Sequence, residues 1–151
     1  MSTDTIRRSR SGHDLGPLSA VERERLAQRL SPEERRILLG RGTERPFCGV
    51  LLLQKAPGHY ACRLCGLPLF RAGAKFDSGT GWPSFDTPYD PEHLREIVDD
   101  SFGMRRTEIR CRRCDGHLGH VFPDGPPPTG LRYCLNSAAL EFVPDGAAPG
   151  Q

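Results

Sequence analysis

The sequence has no apolar run long enough to cross a bilayer, and its apolar fraction is 36%, which argues against a membrane-spanning helix. No apolar stretch follows the arginines of the opening segment MSTDTIRRSRSGHDLGPLS, so no secretory signal is expected. Asp4 and Asp14 argue against an organellar transit peptide. Strong charge of either sign is missing too. Residues 1–45 hold ten Arg and seven acidic residues, whereas residues 46–151 hold eleven basic and twelve acidic ones. Such a nearly neutral body lacks the basic footprint of a nucleic-acid binder. The N-terminal arginines are spread along helix-like sequence and read as a solvated face. There is no βαβ rhythm, which excludes parallel doubly wound folds, and no internal repeat beyond a doubled Cys-x-x-Cys. With no export signal, a reducing, cytoplasmic compartment is expected. The six cysteines are therefore read for metal ligation or redox catalysis before structural disulfides.

Glycine (17) and proline (14) are plentiful among the 151 residues, which favours a single loop-rich, strand-based domain. Residues 1–17 are small, polar and aperiodic and are expected to be disordered. Two short helices should follow. Ser19 with Glu22 and Ser31 with Glu34 each form a capping box, and Pro32 suits a first helical position. Leu26 with Leu30, then Ile37 with Leu38, supply an apolar stripe, and Gly40 and Gly42 should stop the second helix. From Pro46 the texture changes. Val50–Gln54 and His59–Ala61 flank Ala-Pro-Gly as a hairpin, and Met104–Cys111, Leu118–Phe122, Leu131–Leu135 and Leu140–Val143 read as further strands. Residues 144–151 read as a flexible tail. The expectation is a mainly β antiparallel domain carrying an N-terminal helical pair.

Cys62-Arg-Leu-Cys65 and Cys111-Arg-Arg-Cys114 are separated by forty-five residues. Two intervening residues let a tight turn aim both thiolates at one ion, and two such turns complete the four-sulfur tetrahedron that zinc prefers. A full shell leaves no open position, so one structural Zn2+ per chain is expected. Iron, or a pair of redox-active dithiols, are the other readings of the same spacing. The clip by itself names no activity.

Chemistry is more apparent around Cys134. In a strand, Arg132, Cys134 and Asn136 share one face while Tyr133 and Leu135 face the core. A nearby guanidinium favours thiolate over thiol, although a lone cysteine is more often a small hydrophobe. His117 and His120 offer proton exchange near neutrality, and Asp124 shares a face with His120. Trp82, the only tryptophan, lies in a Gly-flanked loop suited to contact a small apolar group, though a single Trp often just plugs a core.

Four segments together resemble the B-type methionine sulfoxide reductases of the zinc-containing branch. They are Gly42-Thr-Glu-Arg-Pro-Phe47, Lys75-Phe-Asp-Ser-Gly with Gly81-Trp-Pro-Ser-Phe85, His117-Leu-Gly-His-Val-Phe-Pro-Asp-Gly125, and Thr129-Gly-Leu-Arg-Tyr-Cys-Leu-Asn-Ser-Ala138. The resemblance spans residues 18–143 and implies two antiparallel sheets in a tent- or barrel-like arrangement. It implies reduction of methionine R-sulfoxide in proteins or peptides, with thioredoxin as reductant. Residue by residue, it implies Cys134 as nucleophile, Trp82 against the substrate methyl, and a polar wall of His117, His120, Asp124, Arg132 and Asn136. Many relatives carry a resolving cysteine before the tryptophan, where this chain has Thr80. Cys48, claimed neither by the metal pairs nor by the attack step, is the expected resolving residue, with an external thiol as the alternative. A monomer that binds neither membrane nor nucleic acid is expected. The rival readings are a zinc-clipped β module that only binds a ligand and a zinc-ribbon nucleic-acid binder.

Overall fold

The computed structural model describes residues 8–45, 47, 49, 51–100 and 103–145. Helices α1 (Ala20–Ala27) and α2 (Pro32–Leu38) start where the capping boxes place them. Ser19 and Ser31 each accept from the backbone of Glu22 and Glu34, whose side chains return the bond. Nine strands follow: β1 (Gly58–Cys62), β2 (Pro68–Arg71), β3 (Lys75–Phe76), β4 (Ser84–Phe85), β5 (Leu94–Asp99), β6 (Arg106–Cys111), β7 (His117–Phe122), β8 (Arg132–Leu135) and β9 (Leu140–Pro144). They form a three-stranded sheet, β2-β1-β9, and a six-stranded sheet, β3-β4-β8-β7-β6-β5. Every pair is antiparallel. Among the described residues no helix is long and apolar enough to cross a membrane.

An aromatic interlock joins the two sheets. Tyr60 and Phe70 of the small sheet meet Phe85 and Tyr133 of the large one, with centroids 5.1 Å (Tyr60–Phe85), 4.5 Å (Phe70–Phe85) and 5.6 Å (Phe70–Tyr133) apart. Each such pair contributes about 0.5–1.5 kcal/mol beyond its buried area. Because Tyr133 and Leu135 are committed to this core, the period-2 alternation of β8 turns Arg132 and Cys134 to the other side.

Four features differ from the sequence expectations. Residues 51–53 form a turn and Val50 lies outside the described residues. Both edges of β1 are taken by β2 and β9, so no place is left for a 50–54 partner. The glycines after α2 serve close approach rather than handedness. A Cβ on Gly40 would sit 2.7 Å from the Arg36 carbonyl oxygen, while the left-handed residue is Arg41, at φ 58°. The arginines of α1 and its flank are not all solvated. Arg23 donates to the Cys114 carbonyl at 2.8 Å and Arg29 to that of Leu64 at 3.5 Å, so the first helix lies over both Cys-x-x-Cys turns. Finally, residues 8–17, within the segment expected to be disordered, lie against the body. Ser11 Oγ donates to Asp90 at 2.8 Å, Ser9 Oγ is 2.8 Å from His93 Nε2, and Leu15 is buried.

Candidate active site

Cys134 sits in the middle of the large sheet. Its direct cross-strand partners are His120 on β7 and Ser84 on β4. The approach of β7 to β8 requires Gly119, since a Cβ there would fall 2.0 Å from the Cys134 carbonyl oxygen. Any side chain at 119 would push His120 away from the thiol.

Above Cys134 lies a cavity of about 230 Å³ lined by Thr80, Trp82, His120, Arg132 and Asn136, with Arg106 and Phe122 at its margins. The indole is fixed because Trp82 Nε1–H donates to the Glu44 carbonyl at 3.0 Å. Glu44 organises this wall in two further ways. Its buried carboxylate accepts from the backbone N–H groups of Ser137 (2.9 Å) and Ala138 (3.1 Å), and its own N–H donates to Asn136 Oδ1 at 2.9 Å. Asn136 Nδ2 donates to the Leu118 carbonyl at 3.1 Å, so the amide is held from both ends.

Burial pushes the Cys134 thiol above its ordinary value, and the Arg132 charge and a Thr80 hydrogen bond pull it only part of the way back. Arg132 is the main influence opposing burial, through its charge and a hydrogen bond with the thiol, while the same guanidinium binds Asp124 through two contacts, at 2.9 and 3.1 Å, over the Phe122 ring. The resting group is therefore a thiol rather than the thiolate that the neighbouring arginine suggested.

Two buried carboxylates hold the histidines. His120 Nε2 lies 2.8 Å from Asp99 Oδ2, and His117 Nδ1 lies 2.7 Å from Glu108 Oε2. Burial would raise the Glu108 carboxyl, but the Arg110 and His117 bonds outweigh it and hold the group low. His117 is lowered by its own burial despite Glu108, which keeps it neutral. Arg41 reaches the same pair of acids, at 3.1 Å from Glu108 and 3.9 Å from Asp99. Its left-handed backbone thus turns the end of α2 toward the site.

Of the residues named from sequence, Cys134, His120, Asn136, Trp82 and Arg132 line one cavity. His117 lies behind it, buried against Glu108. Asp124 stands outside, largely exposed, and reaches the cavity only through Arg132. Cys48 lies outside the described residues. Sequence reasoning missed Thr80 as a thiol partner and missed Glu44, Asp99 and Glu108 as supports. The alternating charges of β6 were a visible signal for Glu108, and Glu44 sits inside a motif already singled out.

Cys62, Cys65, Cys111 and Cys114 also converge, with all four Sγ atoms within 4.8 Å of one another. A tetrahedron with metal–sulfur bonds near 2.3 Å has edges of roughly 3.8 Å, so the cluster could hold a metal ion. The two turns repeat one geometry. The Gly66 and Asp115 amides donate to the carbonyls of Cys62 (2.8 Å) and Cys111 (2.9 Å), and both residues adopt positive φ. Hydrogen bonding among the four crowded sulfurs pushes the Cys65 thiol down and those of Cys62 and Cys111 up, so the four groups act as one cluster.

The model of the SelR domain matches residues 30–144. The chain is 59% identical over 145 residues to the peptide methionine sulfoxide reductase MsrB of Caulobacter vibrioides (strain NA1000 / CB15N), covering 96% of this chain and 91% of the relative. It is 62% identical over 133 residues to the MsrB of Xylella fastidiosa (strain M23), covering 88% and 86%. With the MsrB of Pseudomonas putida (strain W619) it shares 56% identity over 119 residues, covering 78% and 90%.

Proposed function

The chain belongs to the SelR-domain family of B-type peptide methionine sulfoxide reductases, and on that premise we propose that Cys134 reduces methionine R-sulfoxide in peptides and proteins. The observation that carries the reading is the direct opposition of Cys134 and His120 on the floor of a cavity walled by Trp82.

The sulfoxide side chain enters with its methyl group against the indole and its oxygen toward His120. Sulfoxide sulfur is a weak electrophile, and its oxygen departs only with a proton. Cys134 sulfur bonds to the substrate sulfur, and the thiol proton passes through His120 to the oxygen. That oxygen ends on Cys134 as a sulfenic acid and methionine leaves, so one thiol and one sulfoxide give one sulfenic acid and one thioether. Asp99 stabilises the imidazolium that forms in transit. Arg132, Asn136 and Thr80 form the polar wall, while His117 and Asp124 act from outside it, through Glu108 and Arg132. A raised thiol pKa fits this order of events, since the nucleophile brings the proton the leaving oxygen needs.

Cys48 then attacks the sulfenic acid, expelling water and forming a disulfide that thioredoxin reduces. The four-cysteine cluster takes Zn2+. With every position filled by protein the ion supplies no reaction chemistry, and Cys62, Cys65, Cys111 and Cys114 use it to clip β1 to the β6–β7 turn. The expected setting is a monomer in the cytoplasm.

The test is an assay of both epimers of a blocked methionine sulfoxide with dithiothreitol as reductant. Turnover of the R epimer alone is expected. No turnover by folded, metal-loaded protein would favour a module that only binds its ligand.

A further inference from the structure

The cavity over Cys134 is not the largest beside Trp82. A second one, of about 490 Å³, lies on the other side of the 77–83 loop, and Trp82 lines both. The 43–47 segment also reaches both, through Thr43 on one side and Phe47 on the other. Phe47 N–H donates to the Gly81 carbonyl at 2.6 Å, which ties the two segments together between the cavities.

The rim of this second cavity is unusual in three respects. Phe47 is 68% exposed and Leu53 80% exposed, large apolar side chains offered to solvent in a cavity that shares Trp82 with the Cys134 cavity. Phe47 holds a left-handed backbone, φ 65°, where a bulky residue is strained and such strain gathers at functional positions. The charge is also unbalanced. Lys55 and Lys75 face a single acid, Asp77, whose Oδ1 already accepts from the Gly79 amide at 3.2 Å. Lys55 makes no ion pair among the described residues. Burial, then the charge of Lys55, depress Lys75, and its ammonium leans on the Leu52 carbonyl at 2.7 Å. An apolar rim with surplus positive charge calls for an apolar side chain accompanied by a carboxylate.

We propose that this cavity is a flank subsite, which receives the residues beside methionine sulfoxide in a polypeptide and selects an apolar side chain next to Asp or Glu. The inference rests on the reading that the Cys134 cavity takes the sulfoxide. A single free amino acid fills the smaller cavity and leaves the larger one empty, whereas an extended chain passing over Trp82 fills both. Same-face side chains of such a chain lie about 7 Å apart, so the apolar residue belongs two positions from the sulfoxide.

The experiment compares kcat/KM for blocked methionine R-sulfoxide with that for peptides carrying Leu and Glu, Ala and Ala, or Leu and Lys at the second and third positions. One series is built on each side of the sulfoxide. On one side, Leu-Glu peptides should exceed Ala-Ala peptides about fivefold, through KM, with a roughly threefold share from the charge. Leu53→Ser should erase the Leu preference, and Lys55→Glu should reverse the Glu-over-Lys order. Both should leave the blocked amino acid unaffected, since neither residue lines the Cys134 cavity. Equal kcat/KM across all peptides, or preferences that survive both substitutions, would overturn the flank subsite while leaving the reductase reading intact. No turnover of any substrate would overturn both.

Discussion

Asp99 Oδ2 lies 2.8 Å from Nε2 of His120, so a carboxylate on the edge strand β5 braces, from two strands away, the β7 imidazole that stands opposite Cys134. That contact fixes the orientation of the ring. Asp99→Asn keeps the shape and removes the charge. The expected result is a fall of about tenfold or more in kcat with little change in KM. Steady-state kinetics with unfolding curves would check it, since loss of a merely structural contact would lower stability and leave kcat alone.

Burial holds the Cys134 thiol above its ordinary value of 9.0. A raised pKa means that the proton is kept at neutral pH. Alkylation of Cys134 by iodoacetamide, followed by peptide mapping in the absence of substrate, should therefore be slow near pH 7 and rise with a midpoint above the value for a free thiol. Arg132→Gln removes a charge that pulls the group down, so its midpoint should move further up. A midpoint below 7 would show that the resting group is a thiolate.

Cys48→Ser separates the attack from the recycling step. The variant should release about one equivalent of methionine per chain and then stop when thioredoxin is the reductant. Unimpaired multiple turnover would assign resolution to an external thiol.

If the four-cysteine cluster takes Zn2+ as proposed, the ion serves the fold and not the reaction. Protein prepared with zinc should contain about one ion per chain by elemental analysis, and Cys62→Ser should lose it. Because metal binding at such a site is coupled to folding, the thermal midpoint should drop by more than about 10 °C. A metal-free variant of unchanged stability would contradict a clipping role.

Local signals were legible in the sequence. The capping boxes of Ser19 and Ser31 and the cysteine spacing each lie within a few residues of one another, and so does the Arg132–Cys134–Asn136 face of β8. Contacts that depend on assembly were not. Asp99 and His120 are brought together only by pairing β5 on β6 and β6 on β7, and β5 exposes Val98 while burying Asp99, which blurs its alternation. The run Val50–Leu53 has strand composition, yet β1 has no free edge to accept it. Arg23 and Arg29 look like surface charges until the Cys-x-x-Cys turns present carbonyls to them. The depth at which Cys134 is buried, which raises its thiol, and the sharing of Arg132 with Asp124 are likewise not written in residue order.

The most direct measurement mixes pre-reduced protein with an excess of methionine R-sulfoxide, without reductant, and counts the methionine formed in one round by wild type and by Cys134→Ser. About one equivalent per wild-type chain, with loss of the Cys134 thiol and no product from the serine variant, is expected. Methionine released at the same rate by Cys134→Ser would contradict oxygen transfer to that sulfur.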